Sequence, residues 1–412
     1  MPLESLQEYL QAVGSLIDAC DWEMAADASK LLSVQDAHIE CKFLQIENPR
    51  NTQIRAFVAQ PFDLVVAFHL RISAYLAQGR FEEAYKLQEQ LMGVFIKEVL
   101  TNIKEANWFL PIMFQMCSDI RLMARAADKT RLSAKTKGEQ STTTYFEKSA
   151  SVMMDLYRRC VADNRALLNV TKRLAIMNLT NNLFRIYFRI NKLNLLKPLI
   201  RAIDNSKELY EKFSIYDKIT YNYFIGRKAM FDSELTMAER CLTTAFRDCS
   251  SSYAKNKRLV LMYLIPVKMF LGHMPRLELL QKYDLMQFHD VASSVKQGNL
   301  LGLDESLARH ETFFIRCGIF LMLEKLKIIT YRTLFKKVCH ILGTHQIPLD
   351  AFLVALKCQK VEDVDIAEVA CIVANLIYQN RIKGYISHQH QKLVVSKQNA
   401  FPPLSTVAAV KN

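Results

Sequence analysis

The side chains best suited to chemistry in this sequence are basic and aromatic, and they recur between residues 325 and 397. This stretch holds eleven Lys and Arg residues against five Asp and Glu residues, and four of those five fall within 362–368. A basic surface binds phosphates with little base selectivity and strong salt dependence, and aromatic rings at a turn can stack on bases. The alternative is a solvated basic face without a nucleic-acid partner. The candidate nucleic-acid-binding residues are Lys325, Lys327, Arg332, Lys336, Lys337, Arg381, Lys383, His388, His390, Lys392 and Lys397.

A second candidate surface is apolar and lies on a predicted helix over residues 364–380. This helix begins in an acidic run, whereas a helix that reads the DNA major groove usually presents a polar, basic face. Its later residues leave almost no polar face, and helices of that kind are buried. We therefore expect core on one side and a protein interface on the other, with a core-only role as the alternative. The candidate interface residues are Val369, Val373, Leu376, Ile377 and Tyr385.

Other reaction chemistries have no recognisable pattern in the sequence. Glycine is scarce, at 11 of 412 residues, and neither GxGxxG nor GxxxxGK[ST] occurs, which argues against a nucleotide-binding enzyme. The ten cysteines contain no CxxC pair, so we expect reduced core cysteines rather than a metal site. His388 and His390 alone would be a weak metal site. Since no Ser/His/Asp or Cys/His motif is apparent either, we expect a non-enzymatic protein without a cofactor.

Three predicted helices and a hairpin must position the two candidate surfaces. Apolar spacing predicts helices over residues 330–342 and 348–358, and the acidic run suits the start of the third. Short apolar runs predict strands over 384–387 and 393–396 around a polar turn. This order of elements is that of a winged helix. On its first helix, Arg332, Lys336 and Lys337 are expected on the outer side.

The earlier part of the chain predicts consecutive amphipathic helices. Two segments, 20–25 and 79–84, share a turn residue, an aromatic residue and an alanine three positions after the aromatic, and a weaker relative lies around 230–238. These segments resemble tetratricopeptide (TPR) repeats without the regular spacing of about 34 residues. Such a pattern indicates an irregular helical solenoid. The predicted fold is therefore mostly α: an irregular TPR-like solenoid followed by a C-terminal winged helix.

Two further basic stretches lie within this helical part. Residues 121–137 carry six basic residues against one Asp, and the Gly/Ser/Thr-rich run 138–144 predicts a mobile loop. The basic stretch is either a solvated helix end or a segment that contacts RNA or directs import. Arg185 and Arg189 stand four positions apart beside aromatic residues, an arrangement that suits base stacking or an ordinary basic helix face.

The composition of the whole chain indicates a folded protein with a polyanionic partner. Half of the 412 residues are apolar and the formal net charge is +13, which favours nucleic acid, an acidic protein or a membrane surface; many basic proteins bind none of these. The longest apolar stretch, 259–271, is too short to span a bilayer, so no membrane insertion is expected. The first residues lack the pattern of a signal peptide, and we expect a soluble intracellular protein.

Three stretches of the sequence resemble the PCI family, which is named for the proteasome lid, the COP-nine signalosome and initiation factor three. They are residues 223–242, 256–268 and 323–338. The middle stretch, together with residues 298–300 and 384–388, resembles the messenger-RNA export branch of this family. The resemblance extends over residues 3–403.

The resemblance implies a domain organisation. TPR-like repeats would cover residues 1–205, a PCI domain would cover 206–399, and a tail would follow over 400–412. Within the PCI domain, a helical subdomain would end at residue 326 and the winged helix would begin at residue 327.

The resemblance also implies a non-catalytic scaffold subunit of the second TREX (transcription–export) complex at the nuclear pore basket. A germinal-centre-associated-type PCI scaffold protein would set its winged helix beside this one, forming a platform for RNA or other single-stranded nucleic acid. A small acidic protein of the split-hand/split-foot deleted type would clasp the helical part. The implied location is the nucleus, in association with the nuclear pore, and a cytoplasmic location is the alternative. The alternative is a subunit of a proteasome-lid or signalosome type of machine without a direct RNA role.

Overall fold

The computed structural model describes residues 4–134, 144–361 and 364–408. The chain divides into two compact units, Met1–Tyr221 and Asn222–Asn412. Helices dominate both units, and the strands found within the described residues all lie near the C-terminus. The expected fold class, a helical-repeat body followed by a winged helix, is confirmed. The domain limits implied by the resemblance remain predictions.

The first unit is built from helices that pack on their neighbours in sequence. Its α-helices are α1 Leu6–Asp18, α2 Trp22–Leu31, α3 Asn51–Arg55, α4 Phe62–Ala77, α5 Phe81–Val94, α6 Leu110–Ala134, α7 Tyr145–Val161, α8 Ile176–Arg189, α9 Leu196–Asp204, α10 Lys207–Tyr210 and α11 Ile215–Phe231, within which the division between units falls. Further helical turns are Ala37–Glu40, Lys42–Leu44, Phe95–Leu100, Lys172–Ala175 and Leu193–Leu195. The pairs α1 and α2, α4 and α5, α5 and α6, and α7 and α8 pack together, as consecutive repeats do.

The turn-plus-alanine segments predicted from the sequence lie where helices meet. Asp21 caps α2 by accepting hydrogen bonds from two N–H groups of its first turn, and Gly79 after α4 has a φ of 74°. Ala25, Ala84 and Ala238 are each 0% exposed. An alanine has no side chain beyond Cβ, so the next helix can approach closely.

The basic stretch that begins at Arg121 continues α6 as far as the structure describes it. The rest of that stretch and the predicted Gly/Ser/Thr loop, residues 135–143, lie outside the described residues. Thr144 is the N-cap of α7, where it forms a capping box with Glu147. This reciprocal pair satisfies two backbone N–H groups that the helix itself cannot.

The second unit begins with a helical part that precedes the winged helix. Its helices are α12 Leu235–Asp248, α13 Ala254–Phe270, α14 Leu277–Lys282, α15 Gln287–Gln297, α16 Leu300–Arg309, α17 Glu311–Cys317 and α18 Phe320–Glu324. The end of α11 lies close to α12 at Gly226, where a Cβ atom would be 2.5 Å from Leu242 Cγ. One of the stretches that resembles the PCI family contains Gly226, and the close approach of the two helices is a packing reason for a glycine there.

The winged helix contains the three predicted helices and the hairpin, together with one further strand. Its elements are α19 Lys327–Leu342, β1 Gln346–Pro348, α20 Leu349–Cys358, α21 Ile366–Tyr378, β2 Gly384–Ser387 and β3 Lys392–Val395, and α22 Leu404–Ala408 follows. β3 lies between β1 and β2 and is antiparallel to both. The sequence did not predict β1, because three residues ending in proline are too few to display strand alternation.

A single apolar core joins the elements of the winged helix. Phe335 of α19 and Phe352 of α20 are fully buried, with ring centroids 4.5 Å apart. Leu376 of α21 and Leu393 of β3 belong to the same cluster. Burying one such large apolar side chain stabilises a fold by roughly 1.5–3 kcal/mol relative to exposing it, so this cluster fixes the three helices against the sheet.

The cysteines are reduced, as expected, but they are only partly in the core. All ten cysteines are free, but only four are buried, so the expectation of core cysteines is wrong for the exposed ones. The buried cysteines are Cys117, Cys160, Cys241 and Cys249, and the exposed ones are Cys20, Cys358 and Cys371. Among the described residues, no group of three or more metal-ligating side chains is clustered, and no helix has the length and apolarity needed to cross a bilayer.

Candidate nucleic-acid and partner interface

The first helix of the winged helix, α19, presents two of the predicted cations to solvent. It packs on α15 and α16, and it comes so close to Gly298 that a Cβ atom there would lie 2.7 Å from the Leu334 backbone nitrogen. Leu334 and Phe335 are buried, whereas the next two residues, Lys336 and Lys337, are exposed. These two ammonium groups can approach a phosphate without moving the core.

Arg332 does not lie on the outer side of α19, and this prediction is wrong. Only 7% of the residue is exposed, and burial lowers the pKa of its guanidinium. That group donates hydrogen bonds to the carbonyls of Arg381, Phe401 and Pro402 at 3.3, 3.2 and 2.6 Å. The position follows from helical geometry, since residues three apart share a face and Phe335 is in the core. Arg332 attaches the C-terminal segment to the winged helix and is not available to nucleic acid.

Three other predicted cations line an apolar cleft in the second unit. The cleft has a volume of about 1070 Å³, and Lys325, Lys327 and Arg381 lie along it together with apolar side chains such as Leu321. Lys327 forms an ion pair with Asp304, with 2.8 Å between the ammonium nitrogen and a carboxylate oxygen. Burial and then repulsion from Arg332 lower the pKa of Arg381 to about 10. No sequence pattern predicted this cleft, because its walls come from segments far apart in the chain.

The hairpin separates the remaining predicted residues into two groups. Lys383 and Lys397 are exposed at its base, whereas His388 and His390 are exposed at its tip. Lys392 is half-buried at the start of β3. A strand rises about 3.4 Å per residue, so the four-residue strand β2 sets the tip roughly 10 Å from the base. The predicted set is therefore not one cluster.

Most of the interface residues predicted on α21 belong to the core. Val369, Val373 and Leu376 are each 0% exposed, so the prediction that they contact a partner is wrong. Their spacing of four and three residues places them on the helix face that packs inward. Ile377 is half-buried against the same core, whereas Tyr385 on β2 is 63% exposed.

The outward face of α21 is also apolar, and the sequence pattern did not distinguish it from the core face. Tyr378 is 79% exposed, and Cys371, seven residues earlier on the same helix face, is exposed as well. Asp365 caps the helix by accepting a hydrogen bond from the Glu368 N–H at 2.7 Å. The acidic residues 362 and 363, which the prediction placed at this end, lie outside the described residues. An exposed apolar helix face suits a protein partner.

Comparison with known proteins shows which chains this one resembles. A family model described as the PCI domain matches residues 307–397. The chain is 49% identical over 411 residues to the PCI domain-containing protein 2 homolog of Caenorhabditis elegans, covering 99% of each chain. It is 52% identical over 404 residues to PCI domain-containing protein 2 of Danio rerio, covering 98% of this chain and 99% of the relative. The Xenopus laevis protein of that name is 50% identical over 403 residues, with the same coverage.

Proposed function

Since the chain belongs to the PCI domain-containing protein 2 family, whose members are PCI subunits of multiprotein complexes, we propose that it is a scaffold subunit of a messenger-RNA export complex. In this proposal it has no catalytic role, and PCI domain proteins are generally non-catalytic scaffold subunits. It acts in the nucleus as part of the second TREX complex at the nuclear pore basket. The observation that carries the proposal is similarity over 98–99% of this chain to proteins of that one family.

The proposed RNA role rests on the exposed cations of the winged helix. Lys336 and Lys337 on α19 and Lys383 and Lys397 at the hairpin base are exposed. Ammonium groups of this kind contact phosphates without reading bases. The winged helix of a larger PCI scaffold protein, of the germinal-centre-associated type, would lie beside this one and complete the RNA-binding platform.

The proposed small acidic partner, of the split-hand/split-foot deleted type, is supported by the apolar cleft of the second unit. Leu321 in the cleft is 71% exposed, and Lys325, Lys327 and Arg381 lie along the same cleft. A chain that carries bulky apolar side chains between acidic residues complements both properties, because it covers the apolar wall while its carboxylates face the cations.

Affinity purification of the tagged chain from nuclear extract, with mass spectrometry of the recovered proteins, tests the proposal. Recovery of the PCI scaffold protein and the small acidic protein is expected. Recovery of proteasome-lid or signalosome subunits in their place would keep the fold and contradict the function.

One substitution ties the acidic partner to the cleft. Leu321→Glu places a carboxylate on the apolar wall, so recovery of the small acidic protein is expected to fall several-fold while the scaffold protein is still recovered. The matched control is Ile341→Glu at the end of α19, where the side chain is also exposed, at 81%, but does not line the cleft. Equal recovery of the acidic protein with both variants would exclude the cleft as its site.

A further inference from the structure

A cavity in the first unit brings together two arginines that the sequence placed in separate basic stretches. The cavity has a volume of about 370 Å³ and lies where α6 and α8 pack together. Arg121 of α6 and Arg185 of α8 both line it, and Phe114 provides an apolar wall. We name this cavity the α6–α8 pocket. Its polar lining residues besides the arginines are Ser29, Gln115, Ser118, Asn178 and Asn182.

Neither guanidinium has a hydrogen bond or an ion pair with a residue that the structure describes. The Nε atom of Arg121 is buried without a protein partner. Burial and then repulsion from Arg185 and Arg125 lower the pKa of Arg121 to about 10, and burial also lowers the pKa of Arg185. Both arginines are half-buried and both line the same cavity, and withdrawing a charged group from water without an acceptor is costly.

The carboxylates nearest to these arginines are held by other groups. Asp119 accepts hydrogen bonds from the side chains of Gln35 and Gln115 at 2.8 and 2.9 Å, and from the Val34 N–H at 3.3 Å. Asp217 accepts hydrogen bonds from the side-chain amides of Asn178 and Asn181 on α8, at 3.1 and 3.2 Å. Asp119 attracts Arg121 and Asp217 attracts Arg185 electrostatically, but within the described residues no ion pair joins either aspartate to these arginines. The two guanidiniums therefore keep N–H groups that have no acceptor among the described residues.

We propose that the α6–α8 pocket binds a phosphate monoester. A monoester dianion has three terminal oxygens, enough to accept from both guanidinium forks at once, and Arg suits phosphate because its N–H groups match the spacing of two phosphate oxygens. Hydroxyl and amide groups of the lining supply further donors. A phosphodiester has one charge and two terminal oxygens, so it fits two arginines less well. The site lies in the first unit and is separate from the proposed RNA surface, so it goes beyond the function proposed above.

Isothermal titration calorimetry of the full chain with inorganic phosphate tests the proposal, in chloride buffer at constant ionic strength. Arg121→Gln and Arg185→Gln are each expected to weaken phosphate binding by about tenfold or more, because each removes charge-assisted hydrogen bonds. The matched control is Arg158→Gln on α7, where the side chain is 71% exposed and pairs with Asp155, and it is expected to leave binding unchanged. Circular dichroism checks that each variant folds, and Arg185→Lys, which keeps the charge but loses the fork, provides a second test with an intermediate loss expected.

Two further ligands test whether the bound phosphate group belongs to a small molecule or to a modified protein. Glycerol 3-phosphate represents a small phosphorylated molecule, and a phosphoserine peptide represents a modified protein. Tighter binding of either one than of inorganic phosphate supports the pocket and identifies the source. Dimethyl phosphate, a diester, is expected to bind at least about tenfold more weakly than the monoesters. The proposal is overturned if the native chain does not bind phosphate, if dimethyl phosphate binds equally well, or if the two glutamine variants bind phosphate as the native chain does.

Discussion

Arg332 and Lys336 lie one turn apart on α19, yet only the lysine is exposed. The arginine is held by three backbone carbonyls at the base of the hairpin and in the C-terminal segment. A guanidinium is suited to this position because its N–H groups point in several fixed directions. At the scale of single residues, a positive charge in the winged helix therefore serves either structure or binding, and burial separates the two roles.

Arg332→Met tests the structural role of this arginine. The substitution keeps an unbranched side chain but leaves the three carbonyls without their donor, so it is expected to lower the local free energy of opening by roughly 3 kcal/mol. Hydrogen exchange of the β2 and β3 amides measures that free energy. Lys336→Met, at an exposed position on the same helix, is the control and is expected to change exchange little. Equal exchange rates in the two variants would contradict the role given to Arg332.

Asp119 of the first unit gives a pH dependence with a defined sign. Burial raises the pKa of its carboxyl to about 6, against the opposing hydrogen bonds from Gln35, Val34 and Gln115. The folded chain then holds this proton more tightly than the unfolded chain does. The contribution of Asp119 to stability is fully present below the unfolded pKa near 4 and is lost as pH rises through about 6.

Asp119→Asn is expected to remove up to roughly 3 kcal/mol of the fall in unfolding free energy between pH 4 and 7. Urea denaturation of both proteins across this range measures the difference in slope. The asparagine side chain has one accepting oxygen instead of two, so either the Val34 N–H or the two glutamine amides lose their acceptor. That loss does not depend on pH, so the slope isolates the titration. Parallel pH profiles for the two proteins would show that the carboxyl does not titrate in this range.

At the scale of elements, close backbone approach positions α19 against the helices before it. Gly298 ends α15 with a φ of 69°. A Cβ atom on this residue would lie 2.7 Å from the Leu334 backbone nitrogen. Gly343 ends α19 in the same left-handed conformation, with a φ of 62°, but nothing lies within 4 Å of its Cβ position. The two glycines share one backbone requirement, and only Gly298 has a packing requirement as well.

Alanine substitution of these two glycines separates the requirements. Gly343→Ala is expected to cost about 1 kcal/mol, the ordinary penalty of the left-handed conformation. Gly298→Ala is expected to cost a further 2 kcal/mol or so, because α19 must move away from α15. Thermal unfolding and hydrogen exchange of the α15 and α19 amides measure both effects. An equal cost for the two alanines would mean that the contact at Gly298 adds nothing.

At the scale of the whole molecule, a net charge of +13 attracts any polyanion, so an RNA-binding face must be distinguished from general attraction. Lys336→Glu with Lys337→Glu is expected to weaken binding of single-stranded RNA by the assembled complex and to flatten its salt dependence, because two phosphate contacts are lost. Lys86→Glu with Lys104→Glu changes the net charge equally at exposed positions of the first unit. Fluorescence anisotropy at several salt concentrations measures both variants.

Equal loss of RNA binding in the two double variants would mean that net charge, and not the α19 face, drives the binding. Unchanged binding by the α19 variant would exclude that face as a contributor. Purification of each assembled complex before the titration keeps a failure of assembly from being read as a loss of RNA contact.

The fold class could be predicted from the sequence, because the signals for it are local. Apolar periodicity, the acidic helix start at Asp365 and the turn at Gly79 act within a few residues, and each lies where it was expected. The order of helices and hairpin in the winged helix was determined in the same way. The three residues of β1 were too few to carry such a signal.

Which side chains can serve a function depends on contacts between distant segments, and no local pattern predicts those contacts. Arg332 is buried by a segment about 70 residues later in the chain, and Val373 is buried because α20 and β2 pack on one face of an apolar helix. Arg121 and Arg185 meet only because α6 packs on α8. Burial is a property of contacts between distant segments, and those contacts leave no periodic trace around the residue that they cover.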